Sequence, residues 1–366
     1  MPSPYSEIEL IEFLKGIPKA FLVHARGHRF EAVLGGRIPF LNHMAARARA
    51  AGYRPLVIYG RQAKSLVWAL RRHLHVSVEM ATFRQPNLPV CGPTYIRGFW
   101  SVDPQGAGYF TTMAERQFDP GAVDPHDARV FFDRIADHTL DGSNSRRDQK
   151  ERSGAKRPAA AAVFLQDIDT WRERMDDLTT RQMIAAVAEA TDRRIYVKPH
   201  PCTKSEVRRE QVAIAKQYDH IRVTDANIHD LIAAADCVVT QNSSVGFEAL
   251  LHRKPVITCA KSDFAHATLP VKHPNDMAPA MARAAQWQRD FPFEAYVTWF
   301  MGQNMFEEAS EASMDAAWSE IVRLNGTWRE RLYQRLKASS SSSLASTQAA
   351  PSPPISFFQN GARDFR

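Results

Sequence analysis

Residues 237–260 read CVVTQNSSVGFEALLHRKPVITCA, and the fold class can be predicted from them. The apolar run at 237–240 predicts a buried strand, residues 245–251 have helical spacing, and VITCA at 256–260 predicts a second strand. A strand, a helix and a strand joined by short loops form a βαβ unit, in which the two strands are parallel. This stretch therefore predicts part of a parallel sheet covered by helices.

The same alternation extends on both sides of this stretch. In the second half, strands are predicted at 161–165, 194–198 and 221–224, and helices at 179–190, 203–217 and 228–235. In the first half, strands are predicted at 20–25, 55–59 and 76–81, and helices at 37–51, 62–74 and 125–137. Residues 86–121 are rich in Pro and Gly and are predicted to be irregular, whereas residues 279–337 are predicted to be mostly helical.

The chain has 366 residues, more than one hydrophobic core usually serves, so we expect two domains. We assign a Rossmann-like N-terminal domain to 1–145, a polar linker to 146–158, and a C-terminal domain with closing helices to 159–337. Residues 338–366 form a low-complexity tail. The expected fold class is α/β, with two Rossmann-like parallel-sheet domains that face an interdomain cleft. In such sheets, ligands bind beyond the carboxyl ends of the strands.

The composition is that of a soluble protein, with 44% hydrophobic and 24% charged residues. No apolar run reaches the roughly 18 residues that a transmembrane helix needs, and the acidic N-terminal segment does not resemble a secretory signal. The four cysteines have no CxxC spacing, which favours free thiols in the cytoplasm. We therefore expect a cytoplasmic protein.

The chain carries 47 basic and 40 acidic residues, a net charge of +7. This charge favours a phosphate-bearing substrate or peripheral contact with the anionic inner face of the cytoplasmic membrane. No nucleic-acid-binding fingerprint is present, so we expect no nucleic-acid partner. The absence of GxxxxGK[ST], GxGxxG and GxSxG motifs argues against a P-loop ATPase, a typical NAD enzyme and an α/β-hydrolase.

The motif KPHP, from Lys198 to Pro201, follows a predicted buried strand. Its two prolines restrict the backbone around His200, and a rigid imidazole at a cleft edge suits a phosphate or a leaving group. The alternative is a loop histidine without a functional role.

The motif QNSSVGFEAL, residues 241–250, places Ser243 and Ser244 before a predicted helix. Hydroxyls and unpaired backbone N–H groups at a helix start bind anions. The same serines can serve only as helix caps, and the two roles are compatible because they use the same donors. Glu248 can accept hydrogen bonds from ribose hydroxyls.

The motif FLQDIDTW, residues 164–171, places Asp167 and Asp169 after the first strand of the second half. A carboxylate at this position can be a nucleophile, a base or a metal ligand, or it can cap the next helix. Residues 97–110, RGFWSVDPQGAGYF, are predicted to form a long loop. In it, Asp103 and Tyr109 can either contact an acceptor sugar or pack within the loop.

The order of QxxD, KPHP and SSxGFEAL resembles the capsule polysaccharide biosynthesis family. This family includes retaining β-Kdo transferases of the GT-B type that use CMP-Kdo. The resemblance is strongest from Val163 to Ala260, and it is weaker at SVDPQGAGYF and DPHDARVFF in the first half. It implies a glycosyltransferase that moves Kdo with retention onto a lipid-linked or polysaccharide acceptor, without a cofactor or a metal.

The resemblance also implies roles for individual residues. His200, Ser243 and Ser244 contact the CMP phosphate. Asp169, which ends the QxxD spacing that begins at Gln166, is the catalytic carboxylate that attacks the anomeric carbon. Asp103 is the candidate base for the acceptor hydroxyl.

The sequence departs from the family at three points. Thr170 stands where a second aspartate is common, KSDFAH follows VITCA in place of a Gly- and Tyr-rich run, and the chain has room for one catalytic module rather than two. Three alternatives stay open. They are a transferase of the same fold that uses CMP-sialic acid or a UDP sugar, a metal-dependent one-domain transferase that uses Asp167 and Asp169, and a non-catalytic sugar-nucleotide-binding scaffold.

Overall fold

The computed structural model describes residues 7–60, 73–78, 88–140, 149–169 and 175–326. The predicted helix at 62–74 falls almost entirely outside these residues. So do the end of the predicted strand at 76–81, the first part of the linker and the tail at 338–366.

The second domain is built on a parallel sheet of six strands in the order β11-β10-β9-β6-β7-β8. The strands are β6 (Ala159–Phe164), β7 (Ile195–Lys198), β8 (Ile221–Val223), β9 (Ala235–Thr240), β10 (Val256–Thr258) and β11 (Leu269–Pro270). Every residue of β6, the run AAAAVF, is buried, as expected for a central strand with both faces covered. The strands and helices predicted between 161 and 260 are confirmed within a few residues of their ends.

The helices of this domain lie between its strands along the chain, except for the last two, which follow β11. Numbered in chain order, they are α5 (Thr180–Glu189), α6 (Ser205–Ala215), α7 (Ile228–Ala234), α8 (Ser244–Leu251), α9 (Met277–Asp290) and α10 (Phe293–Val297). A capping box at Thr179 and Gln182 starts α5. Helix α8 is almost wholly buried, which explains its apolar sequence.

The first domain contains a mixed sheet in the order β12-β5-β4-β3-β1-β2. Its strands are β1 (Ala20–Ala25), β2 (Arg54–Tyr59), β3 (Leu74–Val78), β4 (Val90–Pro93), β5 (Phe99–Asp103) and β12 (Phe306–Glu307). Strands β1 to β4 are parallel, whereas β5 and β12 are antiparallel to their neighbours. The helices of the first half are α1 (Glu7–Lys15), α2 (His28–Leu34), α3 (Pro39–Ala50) and α4 (Pro125–Leu140).

The prediction of an irregular stretch from 86 to 121 is wrong for two segments. Strands β4 and β5 pair there as a hairpin, with Cys91 opposite Val102. The run FWSVD has the β-branched and aromatic composition of a strand, and it is only five residues long between Gly98 and Pro104. The dense Gly and Pro residues around it mark turns rather than one continuous loop.

A helix from each half of the chain packs against the domain formed by the other half. Helix α4 packs against α10 and α8 of the second domain, where Phe132 and Ile135 share a core with Phe247 and Leu250. In return, a helix at 311–326 packs on the first sheet through residues such as Met314. The predicted α/β fold class with two Rossmann-like domains is confirmed, except that the first sheet is mixed, because β5 and β12 are antiparallel to their neighbours.

Candidate functional site

The site begins where β6, β7 and β9 end side by side. Phe164 on β6 is in register with Lys198 on β7 and with Thr240 on β9. The loops that carry QDID, PHP and QNSS therefore leave the sheet at the same edge. This is the position at which ligands bind in open α/β sheets.

Two adjoining cavities open at this edge. The inner cavity, of about 260 Å³, lies within the second domain. The interdomain cleft, of about 710 Å³, is bordered by residues of both domains. His200, Ser243 and Ser244 line both cavities and mark their junction. The PHP and SS motifs therefore meet at one cleft.

His200 presents a defined tautomer to this junction. The backbone N–H of Cys202 donates to His200 Nδ1 at 3.1 Å. Because Nδ1 accepts a hydrogen bond, the neutral imidazole carries its proton on Nε2. His200 Nε2–H is a hydrogen-bond donor, the polarity that an anionic oxygen requires.

Ser243 and Ser244 begin helix α8 at the same junction. Ser243 is the N-cap, and its side chain accepts a hydrogen bond from the backbone N–H of Val245 at 3.3 Å. The N-terminus of α8 carries a partial positive charge, which favours an anion at the junction. Capping and anion binding are therefore compatible here.

Lys198 and Glu248 line the inner cavity away from the cleft. Lys198 Nζ donates to the carbonyl of Ala226 at 2.6 Å, and burial lowers the pKa of this lysine. Glu248 is 2% exposed and lies one turn after Ser244 on α8.

A buried histidine pair lies behind Glu248. His229 Nε2 is 3.8 Å from Glu248 Oε2, and His229 Nδ1 is 3.0 Å from His252 Nε2. Burial, followed by the neighbouring His229, lowers the pKa of His252 to about 3, so this ring is neutral near pH 7. His229 thus lies between the carboxylate of Glu248 and the ring of His252.

Gln166 joins two of the strand ends. Its Nε2 donates to Asn242 Oδ1 at 3.1 Å, and the backbone N–H of Asn242 donates to Gln166 Oε1 at 2.9 Å. Both residues line the cleft. Gln166 thus fixes the loop after β6 against the loop that leads into α8.

Asp167 and Asp169 have different surroundings. Asp167 lines the cleft. Asp169 borders neither cavity, and both of its oxygens accept hydrogen bonds from protein groups. The donors are Thr180 N at 2.8 Å, Thr180 Oγ1 at 3.2 Å and Gln241 Nε2 at 2.7 Å. Asp169 therefore ties the start of α5 to the end of β9.

The first domain contributes to the opposite wall of the cleft. Tyr109 lines it, as one reading of the sequence suggested. Asp103 is 3% exposed, and its carboxylate accepts hydrogen bonds from Gln105 N, Gly106 N and Thr112 through both N and Oγ1. Asp103 organises the loop that carries Tyr109.

Several residues that border the two cavities were missed from the sequence. They are His28 and Arg29 in the cleft, and Gln149, Lys150, Arg208 and Asp225 in the inner cavity. The run RGHRF after β1 and the TDAN run after β8 could have indicated two of these places, since both follow predicted strands. Nothing in the polar linker sequence distinguishes Gln149 or Lys150 from its neighbours.

Among the residues that the structure describes, no three His, Cys, Asp or Glu side chains form a group that could hold a metal ion. Within the same residues, no helix is both long enough and apolar enough to cross a membrane.

Solved structures with similar folds include two transferases of Thermosulfurimonas dismutans KpsC. The β-Kdo 2,7 transferase is 15% identical, with 83% of this chain and 99% of that chain covered and a TM-score of 0.48. The β-Kdo 2,4 transferase is 17% identical, with coverages of 72% and 89% and a TM-score of 0.44. A UDP-GlcNAc 2-epimerase of Methanocaldococcus jannaschii is 11% identical, with coverages of 84% and 99% and a TM-score of 0.36.

A comparison with curated proteins gave no significant match. The family model described as "Capsule polysaccharide biosynthesis protein" matches residues 173–303. This range contains the PHP and SSVGFEAL motifs together with most of the second sheet. The segment from residue 173 to residue 303 is therefore similar to the capsule polysaccharide biosynthesis protein family, which the order of the motifs also resembles.

Proposed function

We propose that the protein is a glycosyltransferase of surface-polysaccharide synthesis that takes its sugar from a nucleotide donor. One observation supports this proposal most directly. At the junction of the small inner cavity and the larger interdomain cleft lie His200, Ser243 and Ser244. The nucleoside occupies the inner cavity, the phosphate lies at the junction, and the sugar extends into the cleft. An acceptor approaches from the first domain.

At the junction, catalysis consists of stabilising the phosphate that leaves. His200 Nε2–H and the hydroxyls of Ser243 and Ser244 donate to the phosphate oxygens as the bond to the sugar breaks. Preorganised donors of this kind stabilise developing charge more than ground-state charge. Because a nucleoside monophosphate is a good leaving group, no strong general acid is required.

For the donor and the stereochemistry, we propose CMP-Kdo and transfer with retention, onto a lipid-linked or polysaccharide acceptor. A carboxylate oxygen attacks the anomeric carbon and CMP leaves. The acceptor oxygen then attacks the same carbon, expels the carboxylate and loses its proton to a base. Two inversions retain the configuration, as in retaining glycosidases. The family resemblance supports this donor, and neither a cofactor nor a metal is part of the proposal.

Asp167 and Asp169 have different roles in our proposal. The resemblance implies Asp169 as the attacking carboxylate. Both oxygens of Asp169 are occupied by Thr180 and Gln241, whereas Asp167 borders the cleft. We therefore propose that Asp167 faces the sugar and that Asp169 fixes the loop that carries it.

The acceptor hydroxyl needs a base on the side of the first domain. Asp103 is the candidate from the sequence, and its carboxylate is committed to the loop at 105–112. His28 is exposed and borders the cleft from the end of β1. An imidazole has a pKa suited to proton transfer near neutral pH, so we propose His28 for this role.

For cellular location, the proposal is a cytoplasmic protein that contacts the inner face of the membrane peripherally, because a lipid-linked acceptor would be presented there. Basic residues near an anionic surface contribute about 1 kcal/mol each. Co-sedimentation with anionic vesicles that equals co-sedimentation with neutral vesicles would contradict this part of the proposal.

The proposed function is tested by mass spectrometry of the intact protein after incubation with CMP-Kdo. An adduct of one Kdo mass, mapped to the peptide that contains Asp167 and Asp169, is expected. Thermal stabilisation by UDP but not by CMP would remove the CMP-Kdo donor. Loss of transfer in EDTA would favour the metal-dependent alternative. Full turnover in both single alanine variants of these aspartates would favour a binding scaffold or another nucleophile.

A further inference from the structure

The described part of the interdomain linker forms one wall of the inner cavity. Gln149 and Lys150 line this cavity, together with Asp225 from the loop after β8. None of the three borders the cleft. The linker is thus in contact with the second domain's ligand site rather than being a simple spacer.

The position of this wall indicates which part of a bound donor would contact it. His200, Ser243 and Ser244 border both cavities, so they lie at the end of the inner cavity that opens to the cleft. Asp225 follows β8, the edge strand beyond β7, and Lys150 pairs with it, so both lie at the far end of the inner cavity, away from Ser243 and Ser244, which follow β9. If the phosphate lies at the junction and the sugar in the cleft, the nucleoside is the part that reaches Gln149 and Lys150.

The linker is held in this place by several hydrogen bonds. Asn227 Nδ2 donates to the carbonyl of Lys150 at 2.7 Å. Asp230, which is 4% exposed, accepts from Arg152 Nε at 2.9 Å and from Ser153 N at 2.8 Å. These contacts order the backbone on the C-terminal side of Gln149.

The chemistry at the far end suits a pyrimidine nucleoside. Lys150 Nζ is 2.5 Å from Asp225 Oδ2, which brings an ammonium group and a carboxylate to the rim. Apolar walls are supplied by Phe164, Ile228 and Val245. A glutamine amide has both donors and an acceptor, which matches the mixed edge of a pyrimidine base.

We propose that Gln149 and Lys150 contact the nucleoside of the donor, and that Asn227 positions them. The interdomain linker is then a part of the donor site that determines which base is accepted. Because the linker also connects the two domains, a nucleotide bound in the inner cavity also restrains the segment that joins them. This inference rests on the proposed function, since it assumes a nucleotide in the inner cavity.

The test is calorimetric titration of the full chain with CMP, UMP and cytidine. Gln149→Ala and Lys150→Ala should each weaken both CMP and cytidine by about 5- to 10-fold, the loss expected for one hydrogen bond. Gln149→Ala should also reduce the preference between CMP and UMP. Arg157→Ala, which removes the same charge from an exposed position outside the cavity, should bind like the wild type.

The positioning role has its own variant. Asn227 also caps α7, because its Oδ1 accepts from His229 N at 2.8 Å. Asn227→Asp keeps this acceptor and removes the donor to Lys150, so the helix cap is preserved. It should weaken CMP and cytidine as Lys150→Ala does, and it should also lower thermal stability, because the new carboxylate is buried against the carbonyl of Lys150.

Two results would overturn the linker inference. One is wild-type affinity for CMP in both Gln149→Ala and Lys150→Ala. The other is a loss of CMP affinity with cytidine affinity unchanged, which would place the linker at the phosphate. A wild-type protein that binds none of the three ligands would instead overturn the proposed function. Binding of CMP by the wild type separates the two failures.

Discussion

The contrast between Asp169 and Asp167 gives a prediction whose magnitude follows from the hydrogen bonds. Asp169→Ala removes three hydrogen bonds, two from Thr180 and one from Gln241, which is 0% exposed. Hydrogen bonds to a charged acceptor contribute about 1.5–3 kcal/mol each. These contributions are not additive, the capping box at Thr179 remains, and water can replace part of the lost bonds. We expect a destabilisation of about 2–4 kcal/mol.

Asp167→Ala is the matched control. Within the described residues, Asp167 makes no hydrogen bond or ion pair, and it borders the cleft. Its substitution should change the free energy of unfolding by no more than about 0.5 kcal/mol. If Asp167 faces the sugar, turnover should nevertheless fall by about four to six orders of magnitude, the range found for members of a catalytic triad.

The assay is urea unfolding of both variants, followed by hydrogen exchange of the amides in α5. Faster exchange at the start of α5 is expected in Asp169→Ala only, because only this variant loses the acceptor for Thr180 N. Equal stability of Asp169→Ala and wild type would refute the structural role of Asp169. Full turnover of Asp167→Ala would refute the division of roles.

Three further predictions concern the junction of the domains and the cleft. Burial raises the pKa of Asp263 to about 6, although hydrogen bonds from Tyr95 and Thr111 oppose this shift. The folded state therefore binds the carboxyl proton more tightly than the unfolded state does. The free energy of unfolding should fall by about 3 kcal/mol as pH rises from about 4 to 6. Asp263→Asn should remove this dependence in urea titrations at several pH values, and an unchanged pH profile would contradict it. Gly106→Ala should lower the melting temperature through an overpacking cost of about 1–3 kcal/mol, since a Cβ there would lie 2.5 Å from the Cβ of Phe110; a wild-type melting temperature would argue against this packing. His28→Ala should reduce turnover but not CMP affinity, whereas His126→Ala, at an exposed position outside the cleft, should change neither; full turnover in the former would exclude His28 as the base.

The sequence was sufficient to predict the parallel sheet of the second domain. Its strands are buried on both faces, so each forms a continuous apolar run, and each is followed by a turn or a helix signal. The same reasoning placed His200 and Ser243 at one edge, because carboxyl ends of parallel strands lie together. These patterns indicate the order of strands and helices along the chain. In a parallel sheet, that order also predicts at which edge the loops after the strands lie.

Other features depend on contacts between distant segments and could not be predicted. Helix α4 packs against the second domain and the helix at 311–326 packs against the first, so both make contacts with residues far away in the sequence. The different environments of Asp167 and Asp169 depend on Gln241 and Thr180, which have no sequence signal of their own. The place of Gln149 at a cavity wall depends on Asn227, some 78 residues away along the chain.

The central claim is that the junction of the two cavities binds the phosphate of a pyrimidine nucleotide. The measurement that tests it most directly is the difference in affinity for CMP and for cytidine, determined for the wild type and for His200→Ala. We predict that the wild type binds CMP more tightly than cytidine, and that His200→Ala removes about tenfold of this difference, because a charge-assisted hydrogen bond is lost. Equal affinities for CMP and cytidine in the wild type would contradict the claim.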